Sequence, residues 1–574
     1  MTWPRPVPLI GDGTAASERA ADPTGWALPA EDRAGLYRAI ESRRDIRRYR
    51  PDPVPDEVLT RVLTAAHQAP SVGHSQPWRF VVVRDAAVRD TAAVLTDRER
   101  LRQAAQLEPD AAARLLDLQL AGVREAPLGV VVCCDRRAPA AGVLGRATFP
   151  DADLWSCAAA IQNLWLAARA EGLGLGWVTL FRPDELAALL GLPEGVVTLG
   201  WLCLGWPDER PPEPGLERAA WSRRQPLADV VLTDRWPAGD VAAPPSRLRA
   251  PEPEAVVGAR DAADRLLTPP GSLGVLDRAV DRAVALGRTE LAGGTLVLAA
   301  ADHPVAARGV SAYPVSTTRD VVTAAVAGEA LGATAARSAG LDVVVVDAGV
   351  AGLPVPGAVP ARAADPRGDL VDAAALTPAD TERLVAAGRR LGAEHGAATG
   401  LVALGEVGVG NTTVAAALAA ALLHVEPDVV TGLGAGVDAA MFDRKQAVVA
   451  AALERAGGDL EPMRALGELG GPEFAVLAGV VLGAAEAGAM VVVDGFATSV
   501  AALVAVLLEP AVQSSLVAGQ RSRERGHEAV LHALGCEPLL DLRLRAGEGV
   551  GAVLAAGLLH QGLAMRAGTA RVDH

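Results

Sequence analysis

Apolar positions divide the chain into two regions with different patterns. Residues 32–235 alternate helical patterns with short apolar strands, and 259–574 repeats β-branched runs such as "LDVVVVDAGV", each followed by glycine and an alanine-rich helix. Continuous apolar strands separated by helices predict a parallel sheet that is covered on both faces. Ligands of such sheets bind at the carboxyl ends of the strands, so the polar residues just after the strands are the candidates for chemistry.

The segments outside these two regions lack a hydrophobic period. Residues 1–31 are rich in proline, alanine and glycine, which predicts a flexible tail. Residues 236–258 are rich in proline and alanine, which predicts a semi-extended linker. The expected organisation is therefore a tail, a first domain, a linker and a second domain, in agreement with a length of 574 residues.

Charge and composition narrow the classes of partner. A formal net charge of -15 disfavours nucleic acid and anionic membranes as main partners. The five cysteines have no C-x-x-C spacing, which favours buried free thiols over a zinc site or a disulfide framework. The start lacks the pattern of a signal peptide, and Asp494 interrupts the most apolar late stretch, which reads as a buried strand and helix. We expect a cytoplasmic protein.

The stretch "ESRRDIRRYR" (41–50) is the first candidate site. Its predicted helix has Leu36, Ile40 and Ile46 on one face, and Arg43, Arg44 and Arg47 surround Asp45 near its end. Such arginines can hold a phosphate through charge-assisted bonds, or they can form a solvated basic face. A loop with Ser71, Ser75 and Gln76 precedes a strand and offers polar donors, and Gly174 and Gly176 permit close approach to a ligand.

Four motifs of this region occur together: R-R-x-x-R-R, P-S-x-x-x-S-Q-P-W, I-Q-N-L-W-L-A-A-R-A-E-G-L-G-x-G-W and W-x-R-R-x-P-L. Their combination resembles the flavin nitroreductase superfamily, an α+β flavin fold. Within it the sequence is most similar to the 5,6-dimethylbenzimidazole synthases (BluB-like), because Asp45 stands where general nitroreductases usually have serine. The resemblance implies that reduced FMN is the substrate and that O2 fragments it to 5,6-dimethylbenzimidazole.

The same resemblance implies roles for individual residues. Arg43, Arg44 and Arg47 would hold the phosphate and ribityl region, and Asp45 would act as the acid/base group. Thr179 aligns with a family serine near the reactive flavin nitrogen. The remaining cofactor contacts would come from Ser71, Ser75, Gln76, Gly174, Gly176, Arg223 and Arg224.

Three glycine-rich loops in 259–574 are suited to anion binding. In "ALGEVGVGNTTVAAALAAALL" a strand and a glycine turn precede a helix that Asn411, Thr412 or Thr413 can cap. A second loop offers Asp438 as a cap and Lys445 as a phosphate partner. The third places Glu548 between glycines before a helix, where an acid is usually a favourable dipole partner. Asp302 and His303 could ligate a metal, although structural hydrogen bonding is the favoured interpretation.

Six ordered motifs, among them "ADHPVAARGVSAYP", "GEVGVGNTT", "VVVDGF" and "EPLLDLRLRAGEGVGA", resemble the nicotinate-nucleotide:dimethylbenzimidazole phosphoribosyltransferases (CobT-like). The resemblance implies a Rossmann-like parallel-sheet domain that transfers phosphoribose from nicotinate mononucleotide to dimethylbenzimidazole. Glu548 would be the general base and Glu406 the second catalytic glutamate. Tyr313 would wall the base pocket, and Gly408, Gly410, Asn411, Thr412, Lys445 and Arg545 would hold the phosphate and ribose.

The two resemblances together imply one bifunctional enzyme of cobalamin lower-ligand synthesis, a homodimer that needs no metal and is served by a separate flavin reductase. Pro304, Leu433 and Val550 depart from the transferase pattern, which leaves the range of base acceptors open. One alternative is an NAD(P)H-dependent FMN nitroreductase fused to a phosphoribosyltransferase with another acceptor. Another is a flavin-binding sensor joined to a degenerate transferase; the retention of Asp45 and Glu548 argues against it.

Overall fold

The structure, a computed structural model, describes residue 14 and residues 16–117, 122–219, 221–234, 236, 248–432 and 439–572. The chain forms two compact units, and each is described by itself. The first spans Trp26–Asp240; the second spans Val241–His574 and also contains Met1–Gly25. Where composition predicted a flexible tail, a short helix (α1, Ala16–Ala21) is present, and Arg19 forms an ion pair with Asp261 at 2.7 Å.

The first unit is built on a four-stranded antiparallel sheet with the strand order β1-β2-β4-β3. Its strands are β1 (Trp78–Val83), β2 (Leu128–Asp135), β3 (Gly174–Val178) and β4 (Val196–Gly205). Its helices are α2 (Ala30–Ser42), α3 (Asp56–His67), α4 (Ala86–Ala104), α5 (Pro109–Asp117), α6 (Gly122–Glu125), α7 (Ala152–Ala170), α8 (Pro183–Leu190), α9 (Gly215–Arg218) and α10 (Leu227–Val230), with 3-10 turns at Val72–His74 and Ala140–Gly142.

Both faces of this sheet are buried. Successive residues of β2 enter different apolar clusters, because side chains alternate across a strand: Val132 and Cys134 belong to one cluster, Val131 and Cys133 to the other. All five cysteines of the chain are free and buried, as the sequence predicted.

The prediction for the helix that contains Leu36 and Ile40 is wrong in one respect. α2 ends at Ser42, so the buried Ile46 lies beyond it, and both Leu36 and Ile40 are exposed.

The second unit contains a six-stranded parallel sheet with the order β10-β9-β8-β5-β6-β7. Its strands are β5 (Thr295–Ala301), β6 (Asp342–Gly349), β7 (Val359–Pro360), β8 (Leu401–Val407), β9 (Met490–Val493) and β10 (Leu516–Ala518). Its helices are α11 (Pro253–Asp264), α12 (Val275–Ala285), α13 (Ser316–Val326), α14 (Leu331–Ser338), α15 (Pro378–Thr399), α16 (Asn411–Leu423), α17 (Pro427–Val430), α18 (Ala439–Ala456), α19 (Pro462–Leu469), α20 (Pro472–Glu486), α21 (Phe496–Leu508), α22 (His527–Leu534) and α23 (Val550–Gly568), with 3-10 turns at Pro304–Arg308 and Pro510–Ser515.

The parallel sheet predicted from the apolar runs is confirmed, and it is covered on both faces. All seven residues of β5 are buried, and alternate residues of this strand enter different clusters, Val297 in one and Leu296 in another. The chain first adds β6 and β7 on one side of β5 and then β8, β9 and β10 on the other. This reversal places a topological switch point between β5 and β8, where ligands of such sheets bind.

Two segments with possible membrane or linker character have defined places. The late apolar stretch forms β9 and α21, both mostly buried, as predicted. By length and composition alone α23 could cross a membrane, the only helix of the described residues for which this holds, but its inner face belongs to the core. α11 begins at Pro253, inside the segment for which composition predicted a linker.

Candidate active sites

The arginine segment of the first unit runs along the edge of β3 after α2 ends. Asp45 forms a parallel bridge with Leu175, and the Ile46 N–H donates to the carbonyl of Leu175 at 3.0 Å. A Cβ atom at Gly176 would lie 2.3 Å from the carbonyl oxygen of Ile46, and one at Gly174 would lie 2.9 Å from its side chain. These two glycines are therefore required for the segment to reach the strand.

The carboxyl group of Asp45 is held by two donors. The Trp177 N–H donates to Oδ1 at 3.1 Å, and the guanidinium group of Arg47 donates to Oδ2. Burial raises the pKa of Asp45 above its usual value, and the two donors oppose this only in part. A fixed carboxyl group with a raised pKa can hold or release a proton closer to neutral pH than an ordinary aspartate.

A cavity of about 470 Å³ lies beside this segment and has a basic lining. Arg43 stacks on the ring of Trp165 at 4.6 Å, and Arg44 donates to the carbonyl of Pro212 at 2.7 Å. Arg169 and Arg210 line the same cavity, as do Gly174 and Glu209. Sequence reasoning missed Trp165 and Arg169, although both lie inside the quoted α7 motif, four residues apart and hence on one helix face.

Guanidinium N–H groups that are buried without an acceptor indicate whether the arginines suit an anionic cofactor. Among the described residues, Nε of Arg44 and Nη1 of Arg47 are buried without an acceptor. Glu209 accepts from the backbone N–H groups of Arg47 at 2.6 Å and Arg48 at 3.1 Å. These bonds fix the backbone, and they do not involve the two buried guanidinium donors. Unused guanidinium donors beside a basic cavity fit a phosphate-bearing ligand such as FMN.

The other candidates of the first unit lie in three loops. Ser71 Oγ accepts from the Gln76 N–H at 3.1 Å, and Ser75 ends the intervening 3-10 turn. Thr179 is exposed directly after β3. Arg223 and Arg224 are exposed after α9 and form no hydrogen bond with the arginine segment within the described residues. The structure thus brings together Arg43, Arg44, Asp45, Arg47, Gly174 and Gly176 at the arginine segment. The loop candidates lie outside the cavity lining: Ser71, Ser75, Gln76, Thr179, Arg223 and Arg224.

In the second unit a cavity of about 510 Å³ opens at the carboxyl ends of β8, β9 and β10. Its lining includes all the residues to which the transferase resemblance gave a catalytic or substrate-binding role: Tyr313, Glu406, Gly408, Gly410, Asn411, Thr412, Lys445, Arg545 and Glu548. Sequence reasoning missed Asp494, Gln520, Ser522, Arg523 and Glu524, which also line it. A cavity therefore lies just after the strands, where the sequence placed the candidates for chemistry.

Two acids with raised pKa values face this cavity near the switch point. Burial raises the pKa of Glu406 to about 8, and the negative charges of Glu473 and Asp494 add to the shift; its Oε2 accepts from the Asn411 amide. Burial raises the pKa of Asp494 to about 6, although its Oδ1 accepts from Gln520 at 3.0 Å and from the Gly551 N–H at 2.8 Å. The signal that could have identified Asp494 is its place at the end of the buried run "VVVD".

Glu548 occupies a turn that is wound left-handed. Gly547, Glu548 and Gly549 have φ angles of 66°, 57° and 78°, and for the glutamate this conformation is unfavourable. Its Oε2 accepts from the Gly332 N–H at 2.9 Å. A Cβ atom at Gly332 would lie 2.2 Å from the carbonyl oxygen of Glu548, so the turn is packed tightly against α14. The strained backbone of this turn thus places Glu548 in the lining of the cavity.

Helix starts and one lysine provide positive potential in the same cavity. α16 begins after Gly410 and α21 after Gly495, and both glycines line the cavity. The buried Lys445 donates to Thr412 Oγ1 at 3.0 Å and to the Gly432 carbonyl at 3.1 Å, and burial lowers its pKa. Backbone N–H groups at helix starts together with an ammonium group are suited to a phosphate.

Two expectations about capping are corrected or fall outside the structure. Neither Asn411, Thr412 nor Thr413 caps α16; Gly410, with φ of 95°, occupies the cap position, because the tight turn there needs a left-handed residue. Asp438 and Leu433 lie outside the described residues. Asp302 accepts from the Ala351 N–H at 2.7 Å, which agrees with a structural role for this aspartate. Nε2 of the neighbouring His303 lies 2.6 Å from Oε1 of Glu473, and both residues are buried.

Comparisons with known proteins match both units. The family described as "Phosphoribosyltransferase" matches residues 248–574, and the nitroreductase family matches residues 40–206. The chain is 42% identical over 334 residues to nicotinate-nucleotide–dimethylbenzimidazole phosphoribosyltransferase of Thermus thermophilus, covering 56% of this chain and 99% of that protein. It is 44% identical over 208 residues to 5,6-dimethylbenzimidazole synthase of Rhodospirillum rubrum, covering 35% of this chain and 96% of that protein.

A solved structure agrees with the first of these similarities. The crystal structure of CobT from Thermus thermophilus is 42% identical, with a TM-score of 0.53, and the alignment covers 56% of this chain and 97% of that one. The sequence similarities fall on separate parts of the chain, so the two relatives account for different catalytic units.

Proposed function

We infer, from the premise that the chain belongs to both the nicotinate-nucleotide–dimethylbenzimidazole phosphoribosyltransferase family and the nitroreductase family, that one polypeptide catalyses two successive steps of cobalamin lower-ligand synthesis. The first unit fragments reduced FMN to 5,6-dimethylbenzimidazole. The second unit transfers phosphoribose from nicotinate mononucleotide to that base and releases nicotinate and α-ribazole phosphate. The product of one unit is the acceptor of the other.

The observation that carries this proposal is the cavity of the second unit. It brings together two glutamates, a buried lysine and two helix starts from segments that are spread over more than 100 residues of the chain. A base, an acid and an anion site around one volume of about 510 Å³ are what phosphoribosyl transfer to a heterocycle requires.

In the transferase unit, Glu548 removes the benzimidazole N–H proton so that the other ring nitrogen can attack the anomeric carbon. The Gly332 N–H holds one carboxylate oxygen of Glu548 and leaves the other to accept the proton. Glu406, whose pKa is raised to about 8, is a hydrogen-bond donor to the ribose at neutral pH. Lys445, Arg545 and the loop with Gly408, Gly410, Asn411 and Thr412 hold the phosphate and ribose, and Tyr313 walls the base pocket.

In the flavin unit, the residues bind and orient the ligand and move one proton. Arg43, Arg44 and Arg47 hold the phosphate and ribityl region, and Asp45 holds or moves a proton beside the flavin. Thr179 offers a hydroxyl group, and Gly174 lines the cavity. The further flavin contacts that the family resemblance implies are Ser71, Ser75, Gln76, Gly176, Arg223 and Arg224. Reduced FMN, when bound, supplies the ring system that reacts with O2 and is consumed.

Other parts of the proposal concern the setting of the enzyme. We propose a cytoplasmic homodimer that needs no metal and receives reduced flavin from a separate reductase. The exposed Leu36, Tyr37 and Ile40 of α2 support an oligomer, because contiguous apolar patches commonly mark interaction surfaces. The boundaries 32–235 and 259–574 remain our proposal for the two catalytic domains.

The test is to incubate the purified chain with reduced FMN and air and to analyse the products by chromatography. We expect 5,6-dimethylbenzimidazole, and α-ribazole phosphate after nicotinate mononucleotide is added. Repeated NAD(P)H oxidation with intact FMN would instead support the nitroreductase alternative. Absence of dimethylbenzimidazole refutes the first activity, and absence of transfer to supplied dimethylbenzimidazole refutes the second.

A Gly332→Ala variant is expected to lower kcat for phosphoribosyl transfer by about 10- to 100-fold, because the added Cβ displaces the Glu548 turn. We expect KM for nicotinate mononucleotide to stay within threefold, because the phosphate contacts are elsewhere. The matched control is Gly557→Ala in α23, where an added Cβ meets nothing within 4 Å. Equal kcat values for the two variants would show that Gly332 does not position the base.

A further inference from the structure

A second cavity of about 430 Å³ opens beside the transferase cavity and has no part in the chemistry above. It is lined by Arg521, Ser522, Arg523, Asp541 and Arg543, all but the serine exposed. Ser522 and Arg523 also line the transferase cavity, so the two volumes share a wall. Three guanidinium groups against one carboxylate leave an excess of positive charge at this opening, on a chain whose net charge is -15.

The backbone that carries these arginines is firmly anchored. The Arg521 N–H donates to the Leu540 carbonyl at 2.8 Å, and the Leu540 N–H donates to the Gly519 carbonyl at 3.0 Å, which joins the two arginine-bearing segments. The Ser522 N–H donates to Nδ1 of the buried His527 at 2.9 Å. Burial lowers the pKa of His527 to about 4, so its ring is a neutral acceptor at working pH.

The guanidinium groups themselves remain available. Within the described part of the chain, no hydrogen bond or ion pair is formed by the side chains of Arg521, Arg523 or Arg543. Arg525, the next arginine along, differs, because it donates to the Asp428 carbonyl at 3.1 Å. Planar guanidinium groups on an anchored backbone are suited to an anion with several oxygens, and their fork of donors matches the geometry of a phosphate.

We propose that Arg521, Arg523 and Arg543 form an outer subsite that binds a phosphate monoester or phosphate dianion at the mouth of the transferase cavity. The proposal rests on the transferase function and deepens it. Lys445 and the helix starts hold the phosphate of the reacting nucleotide, whereas the outer subsite raises the local concentration of incoming nucleotide. Free inorganic phosphate has the same binding chemistry and would compete with the nucleotide for the outer subsite.

The test compares the double variant Arg521→Gln/Arg543→Gln, whose residues line only the outer cavity, with the matched variant Arg249→Gln/Arg390→Gln. The matched pair removes the same charge from exposed arginines that line none of the described cavities. We expect KM for nicotinate mononucleotide to rise about fivefold in the first variant with kcat unchanged, and the difference from wild type to shrink at high salt. The inhibition constant of nicotinate riboside, which lacks the phosphate, should not change.

The possible results distinguish between the occupants of the outer subsite and the absence of such a subsite. A KM effect limited to the phosphate-bearing ligand identifies the nucleotide as the occupant. An unchanged KM with weaker inhibition by inorganic phosphate identifies free phosphate as the occupant. Equal effects in both variants, or no effect on either ligand, overturn the subsite. If the wild-type chain shows no transfer, the proposed function fails, and calorimetric titration with inorganic phosphate of wild type and variant still decides the subsite.

Discussion

A Glu548→Gln variant is expected to lower kcat/KM for phosphoribosyl transfer by about 10²–10⁴-fold and to leave flavin fragmentation unchanged. Glutamine is isosteric, and its amide oxygen can still accept from the Gly332 N–H, so the left-handed turn is retained. What is lost is the negative oxygen that accepts the benzimidazole proton. The measurement is the rate of α-ribazole phosphate formation from supplied dimethylbenzimidazole and nicotinate mononucleotide.

The control for this variant is Glu537→Gln. Glu537 is an exposed acid whose partner is Arg278, outside the transferase cavity, so its loss should not change the rate more than twofold. Thermal unfolding of the two variants should agree within the error of the measurement. Retention of transfer by Glu548→Gln to within threefold would assign the base to another group, and loss of flavin fragmentation would contradict the division of labour between the units.

The parallel sheet could be predicted because its strands are buried on both faces. Each strand is then a continuous apolar run such as "TLVLAAA", and the candidate site residues follow at the carboxyl ends of such strands. The same regularity predicted the position of the cavity and part of its lining. Sequence alone could not show that Gly410 caps α16, because a cap by Asn411 or Thr412 is equally compatible with the local pattern.

Residues whose role depends on distant partners were the ones missed. Asp494 is bonded by Gln520 and by the Gly551 N–H, 26 and 57 residues away, and a lone aspartate after a strand carries no sign of these bonds. Arg43 stacks on Trp165 across the fold of the first unit. The prediction of one helix face with Leu36, Ile40 and Ile46 was wrong for the same physical reason. Helical spacing shows which residues share a face, but it does not show what covers that face.

The strongest effect in the flavin unit is expected for Asp45→Asn, which should lower dimethylbenzimidazole formation by about 10²–10⁴-fold. Asparagine can keep the bond from the Trp177 N–H but cannot accept or release a proton. Its amide nitrogen would also face the guanidinium group of Arg47, donor against donor. The experiment therefore measures two quantities, the dissociation constant of FMN by fluorescence quenching and the yield of dimethylbenzimidazole from reduced FMN in air.

The ratio of these two quantities separates binding from chemistry. We expect FMN affinity to fall by less than tenfold, because Arg43 and Arg44 do not contact the substituted group, and dimethylbenzimidazole to be lost at saturating FMN. Asp52→Asn is the matched control, an exposed acid of the same loop region that is paired with Arg50 at 2.9 Å. If Asp45→Asn formed dimethylbenzimidazole at the wild-type rate with FMN bound, Asp45 would serve only to hold Arg47. If instead the variant oxidised NAD(P)H repeatedly and left FMN intact, Asp45 would be the group that separates flavin fragmentation from ordinary flavin reduction. The proton-transfer group at this position would then be the only chemical difference between the two activities.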